Sequence, residues 1–237
     1  MRILAIDTST EWCSVAVRDG DAWQVRAENV GHAHSDRLLP MVRSALAQAG
    51  LELSGLDGLA FGAGPGSFTG IRIGCGVIQG LALGADLPVV AVPTLEAFAQ
   101  SALRLHGWTK VVACLDARMR EVYVAAHAHD GTRWHTIAAP AVLSPMNVRT
   151  PPDGASMPAQ GAWRGIGNGF AAYRELVQAL RLPDVDALAH PTAQDVCLLA
   201  SPRLAGGEGV PAAAALPLYV RHRVALTTAE RDAGLRL

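Results

Sequence analysis

Ile3-Leu4-Ala5-Ile6-Asp7 leads through Thr8-Ser9-Thr10-Glu11 into Cys13-Ser14-Val15-Ala16-Val17. The pattern returns as Val112-Ala113-Cys114-Leu115-Asp116, Ala117-Arg118-Met119-Arg120 and Val122-Tyr123-Val124-Ala125. Each copy reads as an apolar strand ending in aspartate, a short polar turn and a returning strand. Aligned without a gap, Asp7 falls on Asp116 and Val15 on Val124. Asp19-Gly20 and Asp130-Gly131 then offer a second hairpin turn in each half. A chance echo of two hairpins is one reading. Hairpin, helix and parallel strand in both halves favour the other, a duplicated α/β architecture.

Between the copies, apolar Leu38, Leu39, Val42, Ala45, Leu46 and Ala49 predict a helix over 35–49 that Gly50 stops. A strand at Leu59–Phe61 precedes Gly64-Pro65-Gly66-Ser67-Phe68-Thr69-Gly70-Ile71-Arg72-Ile73-Gly74, which opens a long apolar helix with Ser67 as N-cap. That glycine turn can present bare N–H groups to a phosphate. On spacing the favoured reading is a tight strand-to-helix turn needing glycine for packing, because the Walker lysine is missing. A strand at Val89–Val92 follows. Thr94 is then expected to cap a helix striped by Leu95, Phe98, Ala99, Ala102 and Leu103 and ended by Gly107. A hinge at Trp108-Thr109-Lys110 divides the chain into 1–107 and 108–237, with the final segment free to pack back on the first domain. In the second half, residues 140–165 read as loop. One helix is striped by Phe170, Tyr173, Leu176, Val177 and Leu180, a short one runs from about Thr192 to Ala200, and the tail past Leu226 reads as frayed.

Half of the 237 residues are apolar and the net charge is -1, so the chain has ample core and no basic excess of the kind that grips nucleic acid alone. Cys13, Cys75, Cys114 and Cys197 lie far apart with no CxxC pair and read as buried thiols of a reducing compartment. A strand-like start argues against a signal peptide, and the apolar 73–85 run is too short for a membrane span. His32-Ala33-His34 and His127-Ala128-His129 are pairs two apart, which share a face on a strand. Without a third ligand or HExxH they read as surface histidines and predict no metal.

Gly64 to Gly74 is similar to the signature of the TsaB family, bacterial subunits needed for threonylcarbamoylation of tRNA. Ile3 to Thr10, His34 to Pro40, Val92 to Ala97, Asp116-Ala117-Arg118 with Glu121-Val122-Tyr123, and Pro217-Leu218-Tyr219-Val220-Arg221 match in order, densely in the first half and sparsely from Pro140 to Leu216. The resemblance implies the actin/sugar kinase/Hsp70-like fold of paired domains. It places the turns at Asp7, Thr8, Ser9 and Asp116 across an interdomain cleft as a vestigial nucleotide loop, with weak nucleotide binding there or at a complex interface. Asp116 is followed by Ala117 and Arg118 instead of glycine, and a turn aspartate bonding its own backbone is the alternative for Asp7.

The homologous transferase TsaD carries Val-Asn-His-x-Glu-Gly-His, whose histidines bind the catalytic metal. Here Thr94 and Phe98 stand in those places, and neither is a ligand for such a metal. The resemblance therefore implies a scaffold without catalytic residues in the cytoplasm. It would pair with TsaD and TsaE, or with a second copy of itself, and reach tRNA through the complex. Its partner surface would be Leu38, Leu39, Val42 and Leu46 on the first helix, with Phe68, Ile71, Arg72, Cys75, Ile78 and Gln79 on the second. Apolar on two faces, the second helix is covered on two sides, by its sheet and by either the 35–49 helix or a partner. Gly76, Gly80 and Gly84 add a flat strip. A self-sufficient ATP-dependent kinase or ATPase and a metallopeptidase are the competing functions.

Overall fold

The two echoed hairpins open two five-stranded mixed sheets in the computed structural model, which describes residues 1–152 and 159–221. Strands β1 (Arg2–Asp7), β2 (Trp12–Asp19), β3 (Ala22–Asn29), β4 (Gly58–Gly64) and β5 (Val89–Pro93) form the first, in the order β3-β2-β1-β4-β5. The second holds β6 (Lys110–Asp116), β7 (Val122–His129), β8 (Trp134–Leu143), β9 (Arg164–Ile166) and β10 (Val185–Asp186) in the order β10-β9-β6-β7-β8. Read from the other edge, that order is the first sheet repeated. In each, two hairpin strands run antiparallel beside the opening strand, and parallel strands lie on its other side. This is the duplicated α/β plan that the repeated hairpins predicted.

The register corrects the ungapped alignment. Ile6 pairs with Val15 and Asp7 with Ser14, whereas Leu115 pairs with Tyr123 and Asp116 with Val122. Val15 therefore corresponds to Tyr123, not Val124. The second turn is shorter because Arg118, Met119 and Arg120 all take left-handed backbone, with φ of 61°, 55° and 58°.

Helices α1 (His34–Ala49) and α2 (Phe68–Ala85) cover one face of the first sheet. Val15, Val17, Leu38, Val42, Phe61 and Ile78 form the core between them. Each such side chain, fully buried, contributes about 1.5–3 kcal/mol. Helix α3 (Thr94–His106) lies between the sheets. Its Ala97 packs into a core with Ile3 and Val92, while Leu95, Phe98 and Ala102 pack on Val111, Ala113 and Leu115. Helices α4 (Gly169–Ala172) and α5 (Glu175–Ala179) cover the far face of the second sheet.

Helix α6 (Ala193–Ala205) follows the hinge in sequence yet packs on the first sheet, where Val196 and Ala200 join the core of Ile3 and Ala5. Its start is fixed by a capping box. Asp195 accepts from the Thr192 N–H and in turn takes both arms of Arg104, at 2.8 and 3.0 Å.

Three local expectations change. Thr94 is the first residue of α3, not its cap: its Oγ1 accepts the Gly64 N–H at 3.1 Å. The helix expected around Phe170 to Leu180 breaks in two at Tyr173. The loop expected over 140–165 yields the end of β8 and β9 at its edges, while 153–158 and the tail past Leu226 lie outside the described residues. Helix α2, 18 residues long and apolar, has the length and composition of a membrane-crossing helix, longer than the apolar run suggested. Here its inner face packs against β4 and β1.

Candidate functional site

The glycine turn is filled by the chain itself. Ser67 N–H donates to the Ser9 carbonyl at 2.7 Å, and Thr8 Oγ1 donates to the Gly70 carbonyl at 2.8 Å. A Cβ on Gly66 would overlap the Ser9 carbonyl, on Gly70 the Thr8 carbonyl, and on Gly74 the Thr8 hydroxyl. The close approach these glycines permit is that of the Thr8-Ser9 loop, so the packing reading of the turn accounts for each of them.

Asp7 at the end of β1 is 1% exposed. Its Oδ1 accepts the Ser9 N–H at 3.1 Å and the Ser9 hydroxyl at 2.9 Å, but its Oδ2 has no partner. Burial pushes its pKa up to about 7; the Ser9 bonds oppose that and the Asp195 charge adds slightly to it. Asp116 sits differently: its Oδ1 accepts the Arg118 N–H at 2.9 Å, and its own N–H donates to Asn168 Oδ1 at 2.9 Å. Between the halves, Thr10, Glu11, Leu115, Asn168 and His190 line a cavity of about 130 Å³. Ligand sites typically enclose roughly 300–1,000 Å³. His190 stacks on Trp12 with centroids 3.9 Å apart.

Thr94 and Phe98 are both in the core, 0% and 1% exposed. The histidines depart from the surface expectation. His32 is exposed, but His34 is buried with its Nε2 3.3 Å from the Trp12 carbonyl. His127 is buried on β7 with Nε2 unpartnered, and desolvation pushes its pKa down to about 4. No group of three His, Cys, Asp or Glu among the described residues is placed to hold a metal ion. All four cysteines are free and buried; burial pushes the thiols of Cys13, Cys114 and Cys197 up to about 12.

The outer surface of α1 and α2 needs redrawing. Leu38, Val42, Ile71, Cys75 and Ile78 turn inward, all at most 5% exposed, because the sheet takes that side of both helices. Of the expected contact residues, Leu39 at 42% and Phe68 at 52% face outward with Arg72, while Leu46 and Gln79 are half-buried. Gly76, Gly80 and Gly84 are exposed, and a Cβ on any of them would meet nothing within 4 Å. Beside them stand half-buried Ile73 and Val77 and the 79% exposed Leu83. This open strip is the flat outer face of α2.

A strap over residues 215–221 claims the α2 residues that lean the other way. Gln79 Nε2 and Cys75 Sγ donate to the Ala215 carbonyl at 2.9 and 3.3 Å, and Arg72 Nε donates to Tyr219 Oη at 3.0 Å. Leu218 N–H donates to the Ala63 carbonyl at 2.7 Å. Arg221 then crosses to the β6–β7 turn, donating to Glu121 at 2.6 Å and to the Ala117 carbonyl at 3.0 Å. The sequence reading let this final segment pack back on the first domain without naming its contacts, and residues 215–219 lie there.

The filled glycine turn, the paired sheets and the α3 face bearing Thr94 and Phe98 define a class of duplicated α/β protein whose first half is built around an open helix. The family model of the tRNA N6-adenosine threonylcarbamoyltransferase TsaD matches residues 25–228. The tRNA threonylcarbamoyladenosine biosynthesis protein TsaB of Escherichia coli K12 is 43% identical over 95% of this chain and 96% of its own. That of Haemophilus influenzae is 39% identical over 94% and 95%. A Pseudomonas aeruginosa structure described as an uncharacterized protein with similarity to peptidase YEAZ superposes with a TM-score of 0.85 at 42% identity, covering 93% of this chain and 99% of that one. The chain belongs to the TsaB family of tRNA threonylcarbamoyladenosine biosynthesis proteins, within the wider TsaD group.

Proposed function

We propose that this chain is a non-catalytic subunit of tRNA threonylcarbamoyladenosine synthesis that acts by holding a TsaD-type transferase through the outer face of α2 and the adjoining edge of α1. The observation that carries the reading is the open glycine strip. Each glycine in a helix interior costs about 1 kcal/mol against alanine. Among the described residues nothing offsets that cost at Gly76, Gly80 and Gly84, where a Cβ would meet no atom within 4 Å. Close approach of a second helix would offset it.

The absence of chemistry in the reading rests on Thr94 and Phe98. In the transferase the equivalent places hold metal ligands; here one bonds the Gly64 N–H and the other fills the core between the sheets. The partners in this reading are TsaD and TsaE, with a second copy of the chain using the same face when TsaD is absent. tRNA is reached through the complex, in the cytoplasm where tRNA is modified. Nucleotide enters only weakly, at the interdomain cleft or the complex interface.

Reconstitution tests it. The purified chain alone should neither transfer threonylcarbamoyl to tRNA nor hydrolyse ATP, and the transferase should lose modification when the chain is left out. ATP turnover by the chain alone would favour the kinase or ATPase reading. Chelator-sensitive proteolysis would favour the metallopeptidase. Modification that proceeds equally well without the chain would end the proposal.

A further inference from the structure

The first turn of α2 is tied from below to one carboxyl group. Asp7 Oδ1 accepts the Ser9 N–H and the Ser9 hydroxyl, at 3.1 and 2.9 Å. The Ser9 carbonyl accepts the Ser67 N–H at 2.7 Å, and Ser67 Oγ caps α2 by accepting the Gly70 N–H. Beside Ser9, Thr8 Oγ1 donates to the Gly70 carbonyl. A Cβ on Gly66, Gly70 or Gly74 would overlap Thr8 or Ser9, so neither the loop nor the helix start can shift alone. The other carboxyl oxygen of Asp7 is stranded. The residue is 1% exposed, and Oδ2 has no hydrogen-bond partner among the described residues. A Cβ on Gly62 would overlap that oxygen, so β4 closes the space next to it. The titratable and charged groups around Asp7 are few. Helix α6 brings Asp195, a like charge bonded to Arg104 of α3, and β2 brings the Cys13 thiol, which burial pushes up to about 12. Strand β4 and the Thr8-Ser9 turn bring none.

We propose that Asp7 is a positioning residue for partner docking: as a neutral acid it holds the Thr8-Ser9 loop under α2, and when it gives its proton to solvent it loosens the first turn of α2 and weakens the hold on the transferase. The inference rests on the reading of α2 as the docking helix. In the neutral acid Oδ1 stays the acceptor of both Ser9 bonds, and Oδ2 carries no charge. Ionisation puts a bare charge on an oxygen out of reach of water and near the Asp195 carboxylate. The sheet closes the Oδ2 side at Gly62, so the charge gains water by displacing the loop that Oδ1 holds. That loop cannot leave without breaking its bonds to Ser67 and Gly70. Affinity for the transferase therefore falls as pH rises through the folded pKa of about 7.

Calorimetric titration of the full chain with the TsaD-type transferase at pH 6 and pH 8, for wild type and Asp7→Asn, tests the proposal. If only the neutral form docks, the wild-type Kd should rise about ten-fold between the two, the ratio of protonated fractions for a group titrating near 7. Asp7→Asn stays neutral and keeps an acceptor for Ser9, so it should hold its pH 6 affinity at pH 8. Any pH dependence left in that variant belongs to the transferase and is subtracted. Asp7→Ala, which removes the acceptor, should bind weakly at both. In the chain alone, the Ser67 and Gly70 amide resonances should titrate with a midpoint near 7 in the wild type and stay fixed in Asp7→Asn. Equal pH dependence of binding in wild type and Asp7→Asn overturns the proposal. So do wild-type Ser67 and Gly70 resonances without that midpoint, a result that needs no variant to fold. A wild type that binds the transferase at neither pH is a different failure: it ends the docking reading, and this inference with it.

Discussion

Helix α2 carries two sets of glycines that look alike in sequence and sit in opposite surroundings. Gly70 and Gly74, with Gly66 just before the helix, face the Thr8-Ser9 loop so closely that a single methyl would overlap its carbonyl or hydroxyl oxygens. Gly76, Gly80 and Gly84 face none of the described residues within 4 Å. The first set is explained within the monomer, as the cost of closing a strand-to-helix turn over the first hairpin. The second is not, and a backbone cost left without internal compensation is a reason to look for a partner.

The contrast can be broken most forcefully from inside. Ile78 is fully buried under α2, so Ile78→Glu should cost about 3–5 kcal/mol and abolish cooperative unfolding near its wild-type midpoint. A folded Ile78→Glu protein would show that the inner face is less committed than its burial says.

Asp7, locked beneath the packed glycines, gives a pH-dependent test. Its folded pKa of about 7 lies above the usual 3.8, so the folded state holds its proton more tightly than the unfolded one. The stability that this group contributes is complete below about pH 4 and is lost as pH rises through 7, by roughly 2–4 kcal/mol. Urea unfolding at pH 5 and pH 8 should show that loss in the wild type, and Asp7→Asn should remove it. An unchanged pH dependence in the variant would mean that Asp7 is not the group responsible.

Gly70→Ala should destabilise by about 1–3 kcal/mol, since the oxygen it meets belongs to backbone and cannot rotate away. The smallest effect has the opposite sign. Gly76→Ala and Gly80→Ala should each stabilise the isolated protein by up to about 1 kcal/mol, read as a higher Tm. Equal effects at Gly70 and Gly76 would erase the distinction between the two sets.

How much of this was legible in the sequence follows the same division. Local rules sufficed for the hairpins, for α1 with Gly50 closing it in left-handed backbone, and for the Gly107 end of α3. Periodicity also found the two faces of α2, but it could not say which faced the sheet. Val42 and Ile78 are apolar at positions that suit a core or an interface equally, and only the sheet's position decides. The shorter second turn was hidden because three consecutive left-handed non-glycine residues have no local signature. His127 reads as a polar surface residue until β7 is seen to lie between β6 and β8 and face α3. The strap is a long-range contact, joining Ala215 to Gln79 and Arg221 to Glu121, and no short-range pattern encodes it.

The most direct test places leucine at both Gly76 and Gly80. Because the added side chains enter open space, circular dichroism and thermal unfolding should report a protein as stable as the wild type or more so. If the strip exists to admit a partner helix, size-exclusion mixing with the TsaD-type transferase should then show affinity reduced at least about thirty-fold, as at an interface centre, with tRNA modification lost in step. A folded double variant that binds the transferase at wild-type affinity and supports modification would contradict the account.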